Sequence, residues 1–278
     1  MASIQMCSSS NKSENLLKIE KFATEAKVNG ASMICLPECC CFMGNNAAET
    51  LNNAETIDGP SIIFLCNLSK TLKVWLSIGG FPLLATDHDD DSDDEQRIKK
   101  IYNHHLLLSP TGEIVGRYSK IHLFDNPLTG MLESKSTKPG KEIISINHDD
   151  LFCTIGLTIC YDLRFPEQYS KLRRDGCNVI LIPSAFMKET GKAHWEVLLR
   201  ARAIENQCYI IAAAQVGEHN HGTRYSYGHS MIIDCWGNII SSLDGEEEGI
   251  CYANFDRRNM NDIKLKMPVY DHRKDELY

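Results

Sequence analysis

The sequence predicts an α/β fold built as one domain, and three observations carry that prediction. Short apolar runs rich in β-branched residues alternate with segments whose apolar residues recur at helical spacing. A pattern of helix, Gly turn, apolar strand and proline occurs twice, at Asn29-Gly30 to Pro37-Glu38 and at Asp175-Gly176 to Pro183-Ser184. This echo suggests two similar α–β halves facing each other. No linker poor in apolar residues separates them, so residues 1–278 read as a single domain.

Ala2 to Met6 reads as a short strand. Asn11 with Glu14 three residues later forms a capping-box pattern, and Leu16, Ile19, Phe22, Ala23 and Ala26 continue a helix to Val28. Asn29-Gly30 stops it. Ala31 to Leu36 is a buried strand that ends in Pro37-Glu38. Pro60 to Lys73 suggests a helix, and Val74 to Gly80 a strand. Residues 87–97 form an acidic loop expected to be disordered; Asp87 to Glu95 lacks the glycine and distal Glu of a calcium-binding loop. Ile101 to Ser109 and Ile114 to Ser119 flank a Pro110-Thr111-Gly112-Glu113 turn. Residues 121–142 are irregular and long enough to be functional.

Phe152 to Ile159 has the pattern of a strand buried on both faces. An exposed Cys160 stands at its end. Pro166 and Glu167 then open a helix, since proline suits the first position and an acid suits the positive helix start. Gly176 closes it. Asn178 to Pro183 is the next strand and Ala193 to Asn206 a strong helix. Cys208 to Gln215, Tyr227 to Asp234, Asn238 to Leu243 and Gly249 to Phe255 read as strands, and a short helix follows Asp256.

The net charge of −8 argues against a nucleic-acid or anionic-membrane surface. No stretch has the length of a transmembrane helix. Met1-Ala2-Ser3-Ile4 lacks a basic region followed by an apolar core, so neither a signal peptide nor much of a transit peptide is expected. Lys274-Asp275-Glu276-Leu277 is followed by Tyr278 and so is not a terminal retention signal. The expected location is cytoplasmic, with mitochondria as the alternative. There, 12 cysteines read as reduced thiols. Cys39, Cys40 and Cys41 are consecutive, which is poor spacing for zinc, and no metal site is expected.

A cysteine at the carboxyl end of a buried strand, beside a helix start, is where an α/β protein places a nucleophile. A buried inert thiol is the alternative. Glu38 and Lys120 occupy equivalent strand ends. A carboxylate can serve as the base that a thiol needs, the more so if desolvation raises its pKa. A lysine ammonium favours the thiolate and can stabilise an oxyanion.

Leu36-Pro37-Glu38, Tyr118-Ser119-Lys120-Ile121-His122-Leu123-Phe124 and Cys160-Tyr161-Asp162-Leu163-Arg164-Phe165-Pro166-Glu167 resemble the three motifs of the nitrilase superfamily of carbon–nitrogen hydrolases. Ser184-Ala185-Phe186, the segment Ala193 to Glu205, Ala212 to Gln215 and Ser226 to Met231 resemble its Nit branch. The resemblance implies a four-layer αββα sandwich and a Glu-Lys-Cys triad. In it Glu38 is general base and acid, Lys120 the oxyanion stabiliser and Cys160 the nucleophile. The Tyr161 backbone N–H would be a second oxyanion donor. Glu133 matches a further family glutamate that orients the site, although Ile121 replaces the usual Thr and the preceding loop is short. The implied reaction needs no metal or organic cofactor. The thiolate attacks an amide carbonyl, ammonia departs, and water hydrolyses the thioester.

The branch acts on α-keto-acid amides with an acidic end. The expected substrate is therefore a small amide, deaminated glutathione, in a metabolite-repair role, with α-ketoglutaramate as the alternative. A catalytically silent scaffold is the non-enzyme alternative. Arg164 could pair with a substrate carboxylate or form an ion pair with Glu167 or Asp162. Phe186 and Thr190, placed in the loop after the second apolar strand, and Phe42 are expected to line the pocket. His194 is read as structural. No nucleic-acid or membrane partner is expected, and the resemblance implies a homodimer or homotetramer.

Overall fold

A computed structural model of the chain describes residues 1–85, 100–128, 130–151, 153–222, 224–274 and 277. The acidic loop of 87–97 lies outside the described residues. The first half contains β1 (Ala2–Gln5), α1 (Lys12–Val28), β2 (Met33–Cys35), α2 (Ala47–Asn52), α3 (Pro60–Leu72), β3 (Trp75–Leu84), β4 (Ile101–Leu108) and β5 (Ile114–Ser119). Next come β6 (Asp125–Asn126), β7 (Met131–Leu132), β8 (Ser145–Ile146), β9 (Ile155–Leu157), α4 (Pro166–Arg174), β10 (Val179–Leu181) and α5 (Lys188–Asn206). The last are β11 (Tyr209–Ala212), β12 (Val216–His219), β13 (Arg224–Tyr227), β14 (Met231–Ile233), β15 (Ile239–Ser242), β16 (Gly249–Tyr252) and α6 (Arg257–Lys266).

Two six-stranded sheets result, ordered β16-β1-β2-β3-β4-β5 and β15-β14-β11-β10-β9-β8. Each contains a parallel trio, β1-β2-β3 in the first and β9-β10-β11 in the second. The repeated Gly–strand–Pro pattern supplies the middle strand of each trio, β2 and β10. A helix precedes each, as short parallel connections require.

Alternation along the strands builds four layers. In β2, Ile34 turns outward to a core shared with Ile19, Phe22 and Ala26 of α1 and Ile62 and Leu65 of α3. Its neighbours Met33 and Cys35 turn inward and share a second core with Ile155, Leu157, Val179 and Leu181 of the other sheet. That core also takes in Tyr169 and Leu172 of α4 and Trp195 and Leu199 of α5. The order of layers is therefore helices, sheet, sheet, helices.

The interface between the sheets is not wholly apolar. His105 of β4 is fully buried; its Nε2 lies 2.7 Å from the Ser77 hydroxyl and its Nδ1 2.8 Å from the Thr158 carbonyl of the opposite sheet. Burial holds the imidazole down to about 4 despite the Thr158 carbonyl and the charge of Asp162, so the ring is neutral. A neutral ring satisfies both partners by donating from Nδ1 to the carbonyl and accepting at Nε2.

Several boundaries differ from the sequence reading. Asn11 caps α1, with its side chain accepting from the Glu14 N–H, as expected. β3 does not end at Gly80 but bulges between Ile78 and Phe81 and runs on to Leu84. Gly80 has φ +60, a conformation natural to glycine, and Gly79 and Gly80 bring the strand against Pro183 and Glu38. The run Tyr227 to Asp234 is split. Tyr227 closes the β12–β13 hairpin, and Gly228 and His229, both at positive φ, redirect the chain before β14. The ladder of the central stretch is confined to β9; Phe152 lies outside the described residues. Helix α5 starts at Lys188 rather than Ala193, capped by extended backbone at Met187 without a side-chain bond, so no capping residue announces it.

Candidate active site

Three strand ends converge between the sheets. Glu38 follows β2 through Pro37, Lys120 directly follows β5, and Cys160 follows β9 by three residues. The first two come from one sheet and the third from the other. The main chain of Glu38 is held on two sides: Gln215 Nε2 donates to its carbonyl at 2.9 Å, and Cys39 N–H donates to the Gly80 carbonyl at 3.2 Å. Cys160 N–H donates to the Pro183 carbonyl at 2.9 Å. With φ +47, Cys160 takes a left-handed conformation unusual for a residue bearing a Cβ. It is 8% exposed, so the thiol expected to be exposed is instead enclosed.

Lys120 Nζ lies 3.3 Å from Glu38 Oε1 and 2.9 Å from Glu133 Oε2. Glu133 stands on a short 3-10 turn (Glu133–Lys135), and its Oε2 also accepts from the Phe124 N–H at 2.8 Å. The Cys160 thiol is hydrogen-bonded to the Glu38 carboxylate and to the Ala185 backbone N–H. Asn103, which sequence reasoning missed, donates to Glu38 Oε1 at 3.1 Å and to Glu133 Oε1 at 3.4 Å. Its one signal is an amide at the start of a polar Asn103-His104-His105 run within an apolar strand.

Protonation follows from these contacts. Burial alone would raise the Glu38 carboxyl, but the Lys120 charge, the Cys160 bond, Arg224 and Asn103 outweigh it and hold the pKa below the usual carboxylate value. Lys120 is pushed well above its ordinary value, since Glu133 and Glu38 outweigh its burial. Burial, then the Glu38 charge, lifts the Cys160 thiol well above normal; Lys120 opposes this without reversing it. The resting site is thus carboxylate, ammonium and neutral thiol. The sequence reading allowed for a Glu raised by desolvation and a thiolate favoured by Lys. The Glu direction reverses because Lys120 sits on Glu38; Lys120 does favour the thiolate, but burial and the Glu38 charge outweigh it.

The turn after Cys160 is braced by Asp162. It accepts from Tyr118 Oη at 2.7 Å, from Ile159 N–H at 2.8 Å and from His122 N–H at 3.1 Å, and lies 2.8 Å from His122 Nδ1. Asp162 therefore has no capacity left for Arg164. Among the described residues, no carboxylate pairs with Arg164. Its guanidinium lies 3.2 Å from His194 Nδ1, 5.8 Å from the Tyr161 ring and 5.4 Å from the Phe186 ring. Tyr161 packs edge-on against Phe124 and Phe165, and its N–H belongs to the first turn, where backbone donors lack intrahelical acceptors.

Phe186 is buried against Trp195 beside this group. Thr190 is not in a loop: it lies in the first turn of α5, where its hydroxyl donates to the Met187 carbonyl at 3.3 Å. Phe42 packs near Lys12, whose Nζ is 6.0 Å from the ring, whereas Cys39 is the neighbour within the field of Glu38 and Lys120. All 12 cysteines are free thiols, and burial pushes Cys35, Cys39 and Cys153 up to about 12. A raised pKa therefore does not single out Cys160; contact with a carboxylate base does. Among the described residues, no group of three metal-ligating side chains converges.

The chain is similar over its whole length to known carbon–nitrogen hydrolases. A model of the carbon-nitrogen hydrolase family matches residues 1–264. The deaminated glutathione amidase of Rattus norvegicus is 43% identical over 281 residues, spanning 100% of this chain and 83% of that protein. Its Dictyostelium discoideum counterpart is 42% identical over 97% of this chain and 92% of its own. The crystal structure of Saccharomyces cerevisiae Nit3, a member of branch 10 of the nitrilase superfamily, superposes with a TM-score of 0.85 at 28% identity, covering 98% of this chain and 95% of that one.

Proposed function

The chain belongs to the carbon–nitrogen hydrolase family, and from that premise we propose that it is an amidase of metabolite repair that hydrolyses deaminated glutathione. One observation carries the chemical reading: a neutral thiol and an ammonium that both meet one carboxylate, Glu38, at the ends of strands from two sheets.

The steps follow from the protonation states. Cys160 attacks the amide carbonyl as its proton moves to Glu38, so the thiolate forms only as it is consumed. Lys120 and the Tyr161 N–H face the developing oxyanion. Glu38 then returns the proton to the departing amine and leaves a thioester on Cys160. The scissile bond of deaminated glutathione is a secondary amide, so the amine that leaves is cysteinylglycine. This corrects the ammonia expected above, which belongs to primary amides. Glu38 next activates water, and the carboxylic acid is released. Glu133 holds the Lys120 ammonium from its other side. It keeps Lys120 charged even while Glu38 carries a proton. Arg164, free of acidic partners and standing beside Tyr161 and Phe186, anchors the acyl carboxylate. We also propose a homo-oligomer: Val197 and Ile204 of α5 and Trp236 nearby are apolar and exposed.

The test is release of cysteinylglycine and 2-oxoglutarate from deaminated glutathione by the purified protein, set against hydrolysis of α-ketoglutaramate. Cys160→Ala should abolish both. Faster turnover of α-ketoglutaramate would reassign the substrate, and undiminished turnover by the Cys160→Ala protein would refute the mechanism.

A further inference from the structure

We propose that Arg224 binds the terminal carboxylate of the leaving peptide, which makes the site selective for amides whose departing amine carries an acid. The proposal rests on the functional reading above and adds a second anion site to it.

The guanidinium of Arg224 is placed by backbone and not by acids. Its Nη2 donates to the Ala185 carbonyl at 2.7 Å, and its Nη1 lies 3.9 Å from Met43 Sδ. Its Nε is buried with no hydrogen-bond partner. Among the described residues, no carboxylate lies within ion-pair distance of it. A half-buried cation with unused donors has lost water without gaining an anion, which is the state of a binding group awaiting its ligand.

Its position relative to the reacting groups decides which part of the substrate it meets. The hairpin that carries it, β12–β13, is pinned over the segment after Glu38. Asn220 Nδ2 donates to the Met43 carbonyl at 2.7 Å, and Asn220 Oδ1 accepts from the Ser10 N–H at 2.9 Å. Ala185, whose carbonyl receives Arg224, offers its N–H to the Cys160 thiol. Arg224 also acts electrostatically on Glu38 and Cys39. Arg164, by contrast, stands over Tyr161 and Phe186. The two cations therefore flank the thiol, one on the side of the oxyanion turn and one on the side of the general acid. Glu38 hands its proton to the leaving nitrogen, so the cation on its side faces the leaving group.

The substrate chemistry has the same division. Deaminated glutathione carries one carboxylate on its 2-oxo acyl part and one at the end of its dipeptide. α-Ketoglutaramate carries only the first, because its leaving group is ammonia. Arg164 meets the carboxylate common to both, and Arg224 meets the one that distinguishes them. A charge-assisted bond of this kind is worth about 10- to 100-fold in kcat/KM.

The experiment compares three substrates: deaminated glutathione, its C-terminal amide and α-ketoglutaramate. The wild-type protein should prefer the acid over its C-terminal amide by about 10- to 100-fold, mostly in KM. In Arg224→Gln that preference should vanish, and the kcat/KM ratio of deaminated glutathione to α-ketoglutaramate should fall by the same factor. Arg224→Lys should recover part of it. The wild-type comparison needs no variant and stands even if Arg224→Gln fails to fold. Equal losses on all three substrates would overturn the proposal and leave Arg224 as a positioning residue for Ala185. Wild-type indifference to the C-terminal amide would overturn it outright. An absence of wild-type turnover of deaminated glutathione would instead defeat the functional reading and this inference with it.

Discussion

Replacing Glu38 with Gln separates the base from everything else in the site. The amide keeps the volume of the carboxyl and leaves Lys120 beside Glu133, 2.9 Å away. At neutral pH an ordinary thiol is already less than about 3% ionised. In the variant burial still disfavours the Cys160 thiolate, although the Glu38 charge that also raised it is gone. Without a base, attack depends on that minor fraction, and the leaving amine also loses its proton donor. General acid–base catalysis is worth 10²–10⁴, so kcat should fall on the order of 10³-fold. The shape of the pH profile is the sharper readout. Glu38 titrates below the usual carboxylate range, so wild-type kcat should be flat through neutrality. In the variant, log kcat should climb about one unit per pH unit as thiolate forms, up to the thiol's own pKa. Steady-state hydrolysis followed from mildly acidic to alkaline pH checks both. A loss smaller than about tenfold, or a variant profile parallel to the wild type, would refute the assignment of Glu38 as base.

Other changes have equally definite outcomes. Arg164→Gln should lower kcat/KM about 10- to 100-fold on deaminated glutathione and α-ketoglutaramate alike, chiefly through KM, because both carry the acyl carboxylate. Gly80→Ala adds a Cβ against the Glu38 side chain at φ +60; a cost of about 2–4 kcal/mol from backbone strain and overpacking should appear as a lower Tm together with lost activity. His105 is held at about 4 against an ordinary 6.5, so it binds fewer protons folded than unfolded between those values. Its contribution is full above about pH 6.5 and is lost as pH falls towards 4, about 3 kcal/mol in all. Urea unfolding of the wild type and of His105→Gln across that range checks this. The variant should be less stable at neutral pH and should lose the pH-dependent part.

Much of this molecule is legible in its residues. The strands end where proline and charge follow an apolar run, and those ends are where Glu38, Lys120 and Cys160 stand. Periodicity cannot show what crosses from one element to another. Asn103 reads as one of three polar residues in a strand, and its value comes from its contacts with Glu38 and Glu133. Arg224 sits on a hairpin obscured by the apolar run from Tyr227, because only the positive φ values at Gly228 and His229 split that run. Thr190 was misplaced for a related reason: α5 begins without a capping side chain, and the strong helical spacing becomes visible only from Ala193. Phe42 lies four residues beyond Glu38, and the left-handed Cys39 bends the chain between them, which no periodicity announces.

The order of the first sheet sets when this protein can become reactive. Its edge strand β16 pairs with β1 along Ala2↔Tyr252 to Gln5↔Gly249, although nearly the whole chain separates them. Such a long-range closure comes late in folding. A growing polypeptide carries its thiol past residue 160 well before the strand that completes the sheet bearing Glu38 and Lys120 has been made. Until then the first sheet lacks its edge strand. The nascent chain thus carries Cys160 as an ordinary thiol, and catalysis waits on the pairing of two ends that are far apart in sequence.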